Sequence, residues 1–172
     1  AETLVPYVDL PDEDLMTSYY YRWRVLKKHI QYTSDDGFVI TEFLPYVPWS
    51  GTHNTIPAAA GHHIREARWL HDLTIASDYI RLWTSLKGDP YTYSSWIGDA
   101  AWQRLKLVGN TSAASSSTSA ASSAVSSSAA ASIADDLAKI YYEKEKRYRR
   151  TTGLGVECFF QTDRSDAMEV SV

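Results

Sequence analysis

The constraint that most limits how this chain folds is the helical stripe beginning at Pro57. Proline suits the first turn of a helix, where a missing N–H costs nothing, and from there Ala60, Ile64 and Ala67 recur at i, i+4, i+7. His62, Glu66 and Trp69 recur at the same spacing on the adjoining side. One face is built to pack, and the other presents imidazole, carboxylate and indole. Gly61 costs about 1 kcal/mol against Ala inside a helix, which makes sense if another backbone or a ligand approaches there. The preceding loop carries Trp49, Gly51, His53 and Asn54, and loops held by rigid elements are where ligand contacts concentrate. Each feature also has a purely structural use: Trp49 plugs a gap, Asn54 caps backbone groups, and the histidines are partnered in a core.

Helices are expected on both sides of this stretch. One starts around Pro11, with Asp12, Glu13 and Asp14 near its positive end and Arg22, Arg24, Lys27 and Lys28 in its second half. Its stripe is Leu15, Tyr19, Trp23, Leu26 and Ile30; the neighbouring Tyr20 and Tyr21 line a cleft or, more simply, pack between helices. Ser34 to Gly37 reads as a turn, and Phe38 to Leu44 as a short extended segment closed by Pro45 and Pro48. A further helix is expected over Ser77 to Leu86, burying Tyr79, Leu82 and Leu86 and ended by Gly88-Asp89-Pro90. Ser94 or Ser95 caps the next, which uses Ile97, Ala101, Leu105 and Val108 and places Trp96 and Asp99 near its positive end. From Asn110 to Ser132 the chain is Ser, Ala and Thr with one Val. Such a run buries too little apolar surface to offset its ordering, so 110–132 is expected to be a flexible insertion. Helical pattern returns at Ile133, Leu137, Ile140, Tyr141 and Tyr148, and the chain closes with a polar loop holding Asp163, Asp166 and Glu169.

Charge and composition exclude several function classes. A net charge of -4 and a pI near 5.7 supply no general basic surface, and KEKRYRR shares its helix with Asp135, Asp136, Glu143 and Glu145, so no nucleic-acid partner is expected. No apolar run approaches the roughly 20 residues of a membrane span. Cys158 is the single cysteine, which forbids an internal disulfide and makes the cytoplasm the default expectation. No zinc-ligand spacing, phosphate-cradling glycine loop or Gly-x-Ser-x-Gly elbow is present, so neither metal nor cofactor is expected. Carboxylates and aromatics remain. Six Trp and twelve Tyr suit either a ring-rich core or a sugar-stacking cleft, and glycoside hydrolysis needs only a carboxylic acid for the leaving oxygen and a second carboxylate. Residue types alone do not say which carboxylates.

A resemblance narrows the choice. The runs YYYRWRVLKKHI, DGFVITEFLPYVPWSGTHNTIPAAAGHHIREARWL, YTYSSWIGDAAWQRLKLVGN and FFQTDRSDAMEVSV together resemble the mannosylglycerate-hydrolase-like glycoside hydrolase domain of the six-hairpin glycosidases. The resemblance implies an all-α fold, a partial (α/α)6 toroid with short extended segments, spanning 1–172 and interrupted at 110–132. Related toroidal enzymes carry their acid in a loop like Ser-Gly-(Trp or Met)-Asp-x-Ser, and Asp166 to Ser171 looks like that loop, with Glu169 at the acid position and Ala167 where glycine is usual. It further implies an inverting two-carboxylate hydrolase acting on a carbohydrate, with Trp49, Asn54, His62, His63, Glu66, Trp69 and Trp96 lining the sugar site. The family's base lies far downstream. With about five helices against the toroid's twelve, the chain reads as the first part of a catalytic domain, inactive when alone. The alternative is a non-catalytic carbohydrate-binding or helical interaction module using the same aromatics.

Overall fold

Asp12 sets where the first helix begins. Its carboxylate accepts from the Leu15 N–H at 3.0 Å, Glu13 and Asp14 follow in the first turn, and Lys27, Lys28 and His29 occupy the last, the charge order that a helix dipole favours. The computed structural model describes residues 4–90, 93, 95–114, 134–143 and 146. Within them the chain runs α1 (Glu13–His29), β1 (Ile30–Thr33), β2 (Gly37–Ile40), a 3-10 turn (Thr52–Asn54), α2 (Pro57–Ala67), α3 (Leu73–Thr84) and α4 (Ile97–Ala114); residues 134–143 are helical as well. The described chain is mostly helix, compatible with the all-α class.

α1 passes into β1 without a break. Ile30 is already extended while its N–H still reaches Leu26 O, so the residue expected to end the helical stripe instead opens a strand and pairs with Ile40. The expected turn closes this antiparallel hairpin, where Gly37 takes a φ of 76° that favours glycine. Strand pairing stops at Ile40, short of the expected Leu44. Beyond it the backbone changes partners: Thr41 N–H donates to His29 O at 2.9 Å, but Glu42 N–H donates to Asn54 O at 2.9 Å.

Of the expected α1 stripe only Leu26 is buried; Tyr19, Trp23 and Ile30 are half-buried, and Leu15 is 58% exposed. The tyrosines explain the difference, because they tie α1 to the opening segment rather than to another helix. Tyr19 OH donates to Pro6 O at 2.9 Å, and Tyr20 OH donates to Val8 O at 2.8 Å while accepting from Val8 N–H at 3.1 Å.

α3 starts four residues before Ser77, because Asp72 caps it by accepting from Thr74 N–H at 3.0 Å. It also stops earlier: Leu86 has a φ of 67° and is 39% exposed, so it belongs to the turn and not to the buried stripe. At α4, Ile97 N–H reaches Ser95 Oγ at 3.3 Å. α4 continues through Ala114, which moves the first five residues of the expected insertion into a helix; extending a formed helix is far easier than starting one. Residues 115–132 lie outside the described residues.

The core gathers Val39 and Ile40 of β2, Ala60, Ile64 and Ala67 of α2, Ile75, Ala76, Tyr79, Ile80, Leu82 and Trp83 of α3, and Ile97, Ala100 and Ala101 of α4. α2 packs on α4 through small residues. A Cβ built on Gly61 would lie 2.6 Å from Trp96 Cβ and 2.8 Å from its carbonyl carbon, so the close approach anticipated at Gly61 is made by the backbone leading into α4.

A paired substitution tests this packing. Gly61→Ala is expected to lower stability by about 1 to 3 kcal/mol through overpacking against backbone that cannot yield. Gly98→Ala, whose Cβ would meet, among the described residues, only Leu137 Cδ2 at 3.8 Å, is expected to raise it by up to about 1 kcal/mol. Urea or thermal unfolding of both variants reads the opposite signs directly.

Candidate functional site

His63, Glu66 and Trp69 follow one another at intervals of three along α2 and its last turn, which stacks them on one face. That face looks across a cleft at α1. One cavity, of about 380 Å³, is lined by Tyr21, Arg22, Val25, Leu26 and His29 of α1, by Glu42 just after β2, and by His63 and Glu66. A second, of about 190 Å³, is lined by Tyr19, Arg22, Trp23, Arg65, Glu66 and Trp69. Arg22 and Glu66 line both and are ion-paired with each other, so this pair divides an acidic and imidazole-bearing chamber from an aromatic one.

In the larger chamber His29 Nδ1–H donates to Thr41 O at 2.7 Å, since a carbonyl can only accept. His63 Nε2 lies 3.8 Å from Glu42 Oε2, and their side chains are 21% and 30% exposed. His63 Nδ1 is buried without a hydrogen-bond partner among the described residues. Burial, with the neighbouring His29 and His62 adding to it, pulls the His63 pKa down to about 4, so the imidazole is neutral across the physiological range. Beneath it lies the fully buried Tyr79, ring centroids 6.2 Å apart, whose phenol is pushed upward by burial and by the Glu42 charge. Beside the smaller chamber, Arg65 is ion-paired with Asp99 of α4, a pairing that holds the Asp99 carboxyl below its usual range. Among the described residues no group of three or more His, Cys, Asp or Glu is placed to hold a metal ion.

The expected sugar-site residues divide. His63, Glu66 and Trp69 come together in the cleft, with Trp69 48% exposed and Arg68 stacked over its ring at 4.9 Å. His62, Trp49, Asn54 and Trp96 line neither chamber. His62 is exposed on α2, one residue away from the cleft face. Trp49 packs edge-on against Phe43 at 4.7 Å, and Trp96 has its backbone against Gly61. Asn54 is buried with φ of 60°, and its amide is used up by the loop: it donates to Phe43 O at 2.5 Å and accepts from Val47 N–H and Ser50 Oγ at 3.3 and 2.7 Å. Glu169 lies outside the described residues. Glu42, His29 and Arg22 were not anticipated; the available signal was Glu42 as the one charge within the apolar run FVITEFL.

No protein-family model and no curated protein matches the chain. Among solved structures, one named as a sialidase is similar to it, with 32% identity and a TM-score of 0.54 over 61% of this chain. The likeness spans 11% of the sialidase chain, so it concerns a small part of that protein.

The half-buried imidazole makes stability depend on pH. Its folded midpoint of about 4 lies below the ordinary 6.5, so its contribution is complete above the unfolded value. It is lost as pH falls toward 4, where the unfolded chain binds the proton first. The whole loss is on the order of 3 kcal/mol. Urea unfolding between about pH 7 and about pH 4.5 should show this decline in the wild type and a shallower one in His63→Leu, and imidazole NMR titration should find no His63 transition near its ordinary value.

Proposed function

We propose that this chain forms part of the catalytic domain of a glycoside hydrolase, a segment of an (α/α)6 toroid of the six-hairpin class. The observation that carries the glycosidase part of this reading is the likeness to a sialidase, itself a glycosidase, at 32% identity over 61% of the chain; the toroid and the six-hairpin class rest on the resemblance of the sequence motifs alone. The cleft supports it independently. Two adjoining chambers, one offering carboxylates and imidazoles and the other aromatic faces, suit a glycoside whose one ring is held by hydroxyl contacts and whose other stacks on Trp69. In this reading Glu169 is the general acid of an inverting mechanism: it protonates the leaving oxygen while a second carboxylate activates water on the opposite face of the ring.

The second reading, a carbohydrate-binding module without turnover, draws on the same cleft. The observation favouring it is that Glu66 is already engaged by Arg22, which leaves Glu42 as the cleft's unpaired carboxylate among the described residues.

In the full-length protein, Glu169→Gln is expected to reduce kcat roughly 10²- to 10⁴-fold on glycosides with poor leaving groups, and much less on activated aryl glycosides, which need little protonation. Trp69→Ala is expected chiefly to raise KM. Steady-state kinetics on both substrate classes checks each. Wild-type turnover by Glu169→Gln on the poor leaving groups removes the acid assignment, and saccharide binding with no turnover by the intact protein selects the binding module.

A further inference from the structure

We infer that His63 and Glu42 together read one hydroxyl of the bound sugar, the imidazole Nε2–H donating to its oxygen and the Glu42 carboxylate accepting its proton. This inference rests on the sugar-binding reading of the cleft and adds to it the pair that sets hydroxyl specificity.

The proton position follows from burial. His63 Nδ1 is enclosed and, among the described residues, without a partner. A buried lone pair left unmatched is tolerated better than a buried N–H left unmatched, so the ring proton resides on Nε2. Nε2 is the nitrogen that faces Glu42 across the chamber. The 3.8 Å between Nε2 and Oε2 is too long for a direct hydrogen bond and short enough for two bonds that share a single oxygen atom. A hydroxyl, one donor and two acceptor lone pairs, fits between a neutral donor and a carboxylate.

Surrounding charges select the same ligand chemistry. Toward this point face Glu42, Glu66, Arg22, His29 and, from below, Tyr79. Arg22 is occupied by Glu66, and the neutral His63 brings no positive charge. A ligand carboxylate or phosphate placed here meets the Glu42 charge and gains a cation only by drawing Arg22 away from Glu66, whereas a hydroxyl meets complementary partners and leaves that pair intact.

The test compares sugars that differ by one hydroxyl. Calorimetric binding to the intact protein is measured for the methyl glycosides of glucose, mannose and galactose, then for each monodeoxy analogue of the best binder. One analogue should bind roughly 10- to 100-fold more weakly. In Glu42→Ala and in His63→Phe that penalty should shrink to a few-fold, with the double variant no worse than either single one, because both groups address one oxygen. Trp69→Ala should weaken every analogue alike and leave the penalty intact. Should His63→Phe fold poorly, Glu42→Gln on its partly exposed side chain still decides: its amide oxygen accepts, so part of the penalty returns relative to Glu42→Ala. Sugars bound with every deoxy penalty unchanged in the Glu42 variants would overturn the pair while sparing the sugar-binding reading. Absence of binding to any of these glycosides would overturn both.

Discussion

Everything about the cleft depends on how α2 is rotated about its own axis, and that rotation is set where Gly61 meets Trp96. Successive residues on a helix are about 100° apart, so a turn of one position exchanges the buried set for its neighbours. With the Gly61 face pressed against the Trp96 backbone, Ala60, Ile64 and Ala67 are buried and His63, Glu66 and Trp69 face α1. Ala100 and Ala101 on α4, both fully buried, let the two helices stay close along their length. Bulk at any of these positions would move the cleft-facing side of α2 as well as the core.

The opposite wall is held by polar staples. Asp36, in the hairpin turn, accepts from His53 Nε2 at 2.8 Å and from Lys87 Nζ at 2.5 Å, joining the hairpin, the loop before α2 and the end of α3. Those two bonds, Lys87 first, hold its carboxyl below the ordinary range, so the junction keeps its charge well into acid. Asp78 of α3 accepts from Phe38 N–H at 3.1 Å and fills the space a Cβ on Gly37 would need. Asn54 then closes the loop on itself and accepts the Glu42 N–H through its carbonyl. Glu42 reaches the cleft because these bonds fix where β2 ends.

Legibility followed the range of the forces involved. The α2 stripe, the close approach at Gly61, the Ser34 to Gly37 turn and the acidic start of α1 were readable because each is decided within a few residues. The start of α3 is local as well, since Asp72 and Thr74 make a cap, but the apolar stripe of Tyr79 and Leu82 begins only a turn later and marks the helix more strongly than its cap does. Ile30 was misassigned because its i+4 spacing from Leu26 is helical while its pairing with Ile40 is tertiary. The cleft was half legible. His63 and Glu66 share a helix with the packing stripe, but Glu42 and His29 join them only through the hairpin, and no spacing rule connects them. Asn54 marked the loop correctly as special, yet its polarity serves the loop's own backbone.

α1 is the softer wall. It buries only Leu26 and is otherwise held by the half-buried Trp23 against the core, by its continuation into β1 and by the Tyr19 and Tyr20 hydroxyls on the opening segment; elements with few buried apolar contacts lie at the low end of local stability. The Arg22 to Glu66 pair links α1 to α2 across the cleft's centre, with side chains 73% and 36% exposed. Exposed ion pairs of this kind contribute about 0 to 1 kcal/mol, so the partition between the chambers costs little to displace. The His63 side is the reverse: a half-buried neutral ring lies over the fully buried Tyr79, which belongs to the core. The cleft thus pairs a rigid wall at His63 with a partition that yields easily, and under the sugar-binding proposal a ligand long enough to enter both chambers meets its main resistance from the fit at His63 and Glu42, not from the charge pair in the middle.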